Sequence, residues 1–164
     1  MAGNLRKEIK QRKPFASREQ EVFLSVIRTA DALTQALDAE VHGAGLSHTQ
    51  YNVLRILRGA GARGLCCREI GARMLTHDPD ITRLLDRLER RGLVTRQRDA
   101  ADRRVVTARI TADGLKLLED LDGPVEAAHQ RLLGHLGAER LGQLAALLEQ
   151  ARAAGRGTGA GSSE

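Results

Sequence analysis

Apolar positions recur along this chain in blocks of helical spacing, set apart by glycines and charged turns. The first block opens at "SREQ", a capping box in which Ser17 caps and Gln20, three residues on, reaches back. Val22, Phe23, Val26, Ile27, Ala30 and Leu33 follow at helical spacing, which predicts a helix running to about Glu40 before "HGAG" breaks it. A second box, "SHTQ" at 47–50, opens the next helix, with Leu46 and Tyr51 placed as a hydrophobic staple. Val53, Leu54 and Leu57 continue it, and "GAGARG" ends it. A short helix over Cys67–Leu75 is expected next, with Ile70 and Met74 inward.

The block after that is the most regular. In "THDPDITRLLDRLERRGLV", Ile81, Leu84, Leu85 and Leu88 fall at i, i+3, i+4 and i+7. Asp78 is the expected cap, Pro79 the first helical residue and Gly92 a left-handed stop. Leu93–Arg98 and Val105–Ile110 then read as two strands around a charged tip, Val106, Ala108 and Ile110 sharing a face. Thr111 caps a long Leu-rich region, where Gly123–Pro124 should kink or briefly interrupt the helix. Beyond Gly137, Leu141, Leu144, Leu147, Leu148 and Ala151 form a last helical face.

This order predicts a mainly α protein with a small β-hairpin (α+β). It is the organisation of a winged helix-turn-helix with N- and C-terminal helices forming a dimerisation platform. The expected divisions are a basic flexible arm at 1–16 and an N-terminal dimerisation helix at 17–45. The winged helix-turn-helix follows at 46–111, C-terminal dimerisation helices at 112–153 and a flexible tail at 154–164.

Composition adds constraints. With 164 residues, 41% of them hydrophobic, the chain can bury one core without disulfides. Its aromatics are only Phe15, Phe23 and Tyr51, which argues against a stacking platform for single-stranded nucleic acid. The net charge of +5 is uneven: residues 1–18 carry +5, 19–77 balance, 78–104 carry +2 and 105–164 carry −2. Basic character thus sits in the arm and around the hairpin, which points to a polyanionic partner. Cys66 and Cys67 are adjacent, form no disulfide framework and point to a reducing compartment. No apolar run has the length of a membrane span and the start lacks a signal-peptide pattern, so a cytoplasmic protein without a membrane partner is expected.

The helix over 79–91 has the chemistry for a duplex groove. Its apolar stripe would hold it to the domain and leave Thr82, Arg83, Asp86, Arg87 and Arg90 on the other surface. Arg83 and Arg87 lie one turn apart, and guanidinium is the group best suited to guanine edges and phosphates. The competing reading is a solvated charged face with an Asp86–Arg90 pair. The hairpin shifts the balance, because Arg103 and Arg104 at its tip suit a narrow minor groove, with Asp102 holding one of them. An alternative from another class is a winged-helix protein-interaction or oligomerisation module, motivated by Asp80 and Asp86, which would repel phosphate unless paired.

The segment "GLCCREIGARMLTHDPDITRLLDRLERRGLVTRQRDAADRRVVTARITADG" resembles the winged-helix core of the MarR family of bacterial transcription regulators. Two motifs carry the resemblance: the "ITRLLDRLERRGLV" helix, and a wing formed by Asp102, Arg103, Arg104, Val106, Ile110, Thr111 and Gly114. It implies a homodimer whose two recognition helices meet a pseudo-palindromic operator in double-stranded DNA, with a small-molecule effector as a further partner. Thr82, Arg83 and Arg87 match the family's DNA-facing positions, Arg104 its minor-groove arginine and Asp102 that arginine's companion. Pro79 and Asp80 depart from the small or hydroxyl residues often found there. For an effector crevice the polar candidates are Arg28, His48, Tyr51 and Arg55, with His48 and Tyr51 equally readable as helix-start and core residues. The tryptophan of the urate-responsive branch and the first-helix cysteine of the peroxide-sensing branch are both missing. No catalytic constellation, metal-ligand spacing or phosphate-binding glycine loop is present, so neither an enzyme nor a cofactor is expected.

Overall fold

In the computed structural model the described residues are 5–76, 80–98 and 106–157. They form two compact units, one ending at Val125 and the other starting at Glu126. The first unit contains α1 (Leu5–Glu8), α2 (Arg18–His42), α3 (His48–Ala60), β1 (Leu65–Cys66), α4 (Cys67–Gly71), α5 (Ile81–Arg90), β2 (Val94–Arg98) and β3 (Val106–Ile110). Helix α6 (Ala112–Leu133) begins in it and ends in the second unit, which also holds α7 (Gly137–Gly157).

Ser17 and Ser47 cap their helices as the sequence predicts. Ser17 accepts from the Gln20 amide at 3.2 Å, while the Gln20 side chain accepts from Ala16 N at 2.7 Å, one residue beyond the expected partner. At α3 the box is complete: Ser47 Oγ accepts from Gln50 N, and Gln50 Oε1 from Ser47 N. Helix α5 starts two residues later than expected. Its cap is Asp80, whose carboxylate accepts from Arg83 N at 3.0 Å, while the expected pair Asp78 and Pro79 lies outside the described residues.

Two further expectations change. The hairpin is part of a three-stranded antiparallel sheet of order β1-β3-β2, with Leu65 opposite Ala108 and Val94 opposite Ile110. Two residues of β1 are too few for an alternating pattern to announce them, but they pair with the otherwise open edge of β3. Of the kink or interruption expected at Gly123–Pro124, the interruption does not occur, because α6 runs through with Pro124 inside it. Leu118, Leu121 and Val125 bury on both sides of the proline, so packing holds the helix where a local rule would stop it.

The core of the first unit joins Val41, Leu46, Tyr51, Leu54, Leu57, Leu65, Ile70, Leu85, Leu88, Val94 and Leu118, all nearly inaccessible. Ile81, Leu85 and Leu88 are the inward stripe of α5. Gly114 shows how tightly α6 meets the hairpin: a Cβ there would lie 2.4 Å from Leu93 O and 2.7 Å from Ile110 Cγ1. Thr111 fixes the same corner, donating to Gly92 O at 2.7 Å and accepting from Gly114 N at 3.1 Å. In the second unit α7 leaves Leu144 and Leu147 exposed, with Leu141 and Leu148 half-buried.

Candidate nucleic-acid interface

Helix α5 turns its apolar stripe into the core, and this leaves Thr82, Arg83, Arg87 and Arg90 exposed on its outer face. Its two carboxylates inside the helix are not free to oppose a polyanion. Arg96 of β2 reaches back across α5, with Nη2 2.6 Å from Asp86 Oδ1 and 2.6 Å from Glu89 Oε2. Its Nε adds a 2.9 Å bond to Glu89, and its backbone N–H another at 3.0 Å. The hydrogen bonds from Arg96 hold the Glu89 carboxyl below its ordinary range, and Glu89 in turn raises the guanidinium. The Asp86–Arg90 ion pair of the competing solvated-face reading does not form. Arg90 Nε donates instead to the Asp86 carbonyl at 3.2 Å, leaving the carboxylate to Arg96.

The far end of α5 is also anchored. Arg91 donates to the carbonyls of Gly45 at 2.6 Å and Ala44 at 2.8 Å, tying the recognition helix to the turn between α2 and α3. At the near end, Arg83, Leu84 and Arg87 line a cleft of about 360 Å³ together with Asp80, Ser47 and Thr49. Ser47 and Thr49 escaped the sequence reading, where "SHTQ" registered only as a capping signal. On the sheet, Arg109 is held by Ala62 O at 2.8 Å and Gln97 Oε1 at 2.7 Å. Strands β2 and β3 lead to the wing tip, and Asp102, Arg103 and Arg104 lie outside the described residues.

The effector candidates are only partly brought together. Tyr51 is buried, and the Arg55 guanidinium stands 5.8 Å from its ring centroid, within cation–π reach. Burial chiefly raises the Tyr51 hydroxyl, and Arg55 opposes that shift. Next to them Arg58 grips Asp122 of α6 with two bonds of 2.8 and 3.0 Å. His48 is engaged elsewhere: Asp38 accepts from its backbone N–H at 2.7 Å and lies 3.1 Å from its Nδ1. Arg28 pairs with Asp31 of its own helix at 3.7 Å. Cys66 caps α4 and Cys67 packs against the core, and among the described residues no cluster of metal-ligating side chains occurs.

A core-anchored helix with exposed arginines, followed by a two-stranded ribbon and braced by a preceding helix pair, defines the winged helix-turn-helix transcription regulators. The MarR family profile matches residues 46–106, which span α3 to the start of β3. The chain is 44% identical to a MarR transcription factor of Planctomyces limnophilus, over 84% of this chain and 99% of that one, with a TM-score of 0.65. It is 29% identical to CouR from Rhodococcus jostii RHA1, solved bound to p-coumaroyl-CoA, over 82% and 94% of the two chains (TM-score 0.69). It is also 25% identical to MepR of S. aureus in a MepR–DNA complex, over 79% and 96% (TM-score 0.72). The chain belongs to the MarR family of transcription regulators, and it is a regulator rather than an enzyme.

Proposed function

We propose that this chain represses transcription as a homodimer that binds a pseudo-palindromic operator and is released by a small-molecule ligand. One observation carries the reading: α5 presents Thr82, Arg83 and Arg87 outward while Arg96 pairs with both carboxylates of the helix interior and Asp80 is spent as the cap. The outward face therefore presents guanidiniums outside any ion pair among the described residues, while the acids of the helix are already paired. In the major groove, Arg83 and Arg87 would meet base edges or phosphates, with Thr82 beside them. The wing would bring Arg104, and Arg103 next to it, to the minor groove with Asp102 as support. The same pairing weighs against a protein-interaction module, since Asp86 is paired rather than facing outward as a lone charge.

Dimer formation has its own support. Val22, Phe23, Val26 and Ile27 share one face of α2 and are 44–64% exposed in the single chain. For the effector, Arg55, stacked on the buried Tyr51 ring beside the Arg58–Asp122 pair, offers a cationic position backed by an aromatic core residue. CouR is a relative solved with an anionic thioester ligand, and a ligand of that kind is the first class to screen. No helix among the described residues is long and apolar enough to cross a membrane, and we place the protein in the cytoplasm with the DNA it would bind.

Selection from a random duplex library should return a palindromic site. Affinity for it should fall steeply with salt as counterions are released. Arg83→Ala should weaken that site by about 1–3 kcal/mol and relax one base position, while Arg104→Ala should weaken binding through the minor groove. Unchanged affinity in both variants would refute these roles.

A further inference from the structure

The cleft between α3 and α5 contains more than the recognition helix needs for reading bases. Arg83 and Arg87 of α5 line it together with the hydroxyl-bearing Ser47 and Thr49 at the start of α3, and Leu84 and Asp80 complete the lining. Among the described residues neither guanidinium is in an ion pair, and the Asp80 carboxylate already accepts from Arg83 N. The backbone at the start of α3 is largely engaged already. The N–H groups of Ser47, His48 and Gln50 are taken by Gln50, Asp38 and Ser47 respectively. What remains is the Thr49 N–H and a side-chain set of two cations and two hydroxyls. Ser47 Oγ accepts from Gln50 N, which leaves its O–H free to donate, and Thr49 Oγ1 lies a long 3.4 Å from His48 Nε2.

We infer that this cleft seats a backbone phosphate of the bound duplex, with Thr49 and Ser47 donating hydroxyl hydrogen bonds beside Arg83 and Arg87. The inference rests on the DNA-binding reading above and adds Thr49 of α3 and its cap Ser47 to the interface. A phosphate fits better than a base edge for two reasons. The hydroxyls and guanidiniums converge as donors from two helices, the arrangement that surrounds a tetrahedral anion. The site is also at the junction of the two helices, so occupying it would fix the depth at which α5 enters the groove.

Thr49 is the position to test, because it caps nothing. Thr49→Val removes the donor at constant shape. Thr49→Glu places a negative charge in the first turn of α3, which favours the helix while it repels a phosphate. Both proteins should therefore melt no lower than wild type. Each is titrated with a random-sequence duplex at low salt and with the library-selected duplex. Phosphate contacts carry no sequence information, so Thr49→Val should weaken both duplexes by the same factor, about threefold to tenfold, and Thr49→Glu by more. Arg83→Ala should weaken both duplexes, and the selected one more, because Arg83 lines the seat and also faces the base edges of the groove. Replacing phosphates one at a time by neutral methylphosphonates should reveal one linkage whose loss weakens wild type but not Thr49→Val. If both Thr49 variants bind both duplexes within twofold of wild type while Arg83→Ala is impaired, the phosphate seat is wrong and the regulator reading stands. If wild type itself retains neither duplex at low salt, both fall together.

Discussion

Gly114 and Gly59 make opposite predictions from the same substitution. At Gly114 a methyl group would meet Leu93 O at 2.4 Å, and a backbone oxygen held by the sheet corner has nowhere to move. Gly114→Ala is expected to cost about 1–3 kcal/mol through overpacking, visible as a lower midpoint in thermal or urea unfolding. Gly59, inside α3, meets nothing within 4 Å of its added Cβ. Gly59→Ala should raise stability by about 0.5–1 kcal/mol, since helix propensity is then the only term that changes. Arg96 is the other decisive residue. It is far from a DNA-facing position in the sequence pattern, yet it decides the sign of the α5 surface by holding Asp86 and Glu89. Arg96→Met should keep the fold, leave both acids exposed toward the duplex and weaken DNA binding most at low salt.

At the scale of elements, the ion pairs that join helices and strands also set the response to acid. Glu89 is held below its ordinary range chiefly by its hydrogen bond from Arg96, and Asp122 chiefly by its bond from Arg58. A carboxylate depressed in the folded state contributes stability above its unfolded value and loses it as pH falls through the folded one. The β2–α5 and α3–α6 contacts should therefore weaken progressively below the ordinary carboxylate range. Thermal melts from neutral pH downward should show wild type losing more stability than Arg96→Met, which lacks one of the two pairs. Both carboxylates are substantially exposed, so the difference should be small and should shrink in high salt. Arg91 acts at the same scale, binding the end of α5 to the α2–α3 turn through two carbonyls.

For the whole molecule, the exposed apolar face of α2 is the feature that a single chain cannot satisfy. Phe23 is 64% exposed and Val22, Ile27 and Val26 surround it on the same face. Phe23→Glu is expected to shift the protein from dimer to monomer in sedimentation equilibrium. DNA affinity should fall with it, because two half-sites are then no longer bound as one unit. A monomer that keeps full operator affinity would separate DNA binding from assembly and contradict the dimeric reading.

Much of this protein was legible before any coordinates. The stripe Ile81, Leu85, Leu88 and the boxes at Ser17 and Ser47 repeat or cap at fixed local spacing, and short-range geometry is the same wherever the chain folds. The arginines at 83 and 87 were legible for the same reason: a helix with one buried face has only one other face to offer. Tertiary structure alone decided what those arginines stand beside. Arg96 meets Asp86 across ten residues, Arg91 meets Gly45 across 46, and Thr49 joins Arg83 in one cleft from two separate helices. Such contacts leave no period in the sequence, because they depend on how elements cross. Packing likewise carried α6 through Pro124 and gave β3 a third strand of two residues. Sequence determined which surfaces exist, and the crossing of α3, α5 and the sheet determined the charge and shape they present.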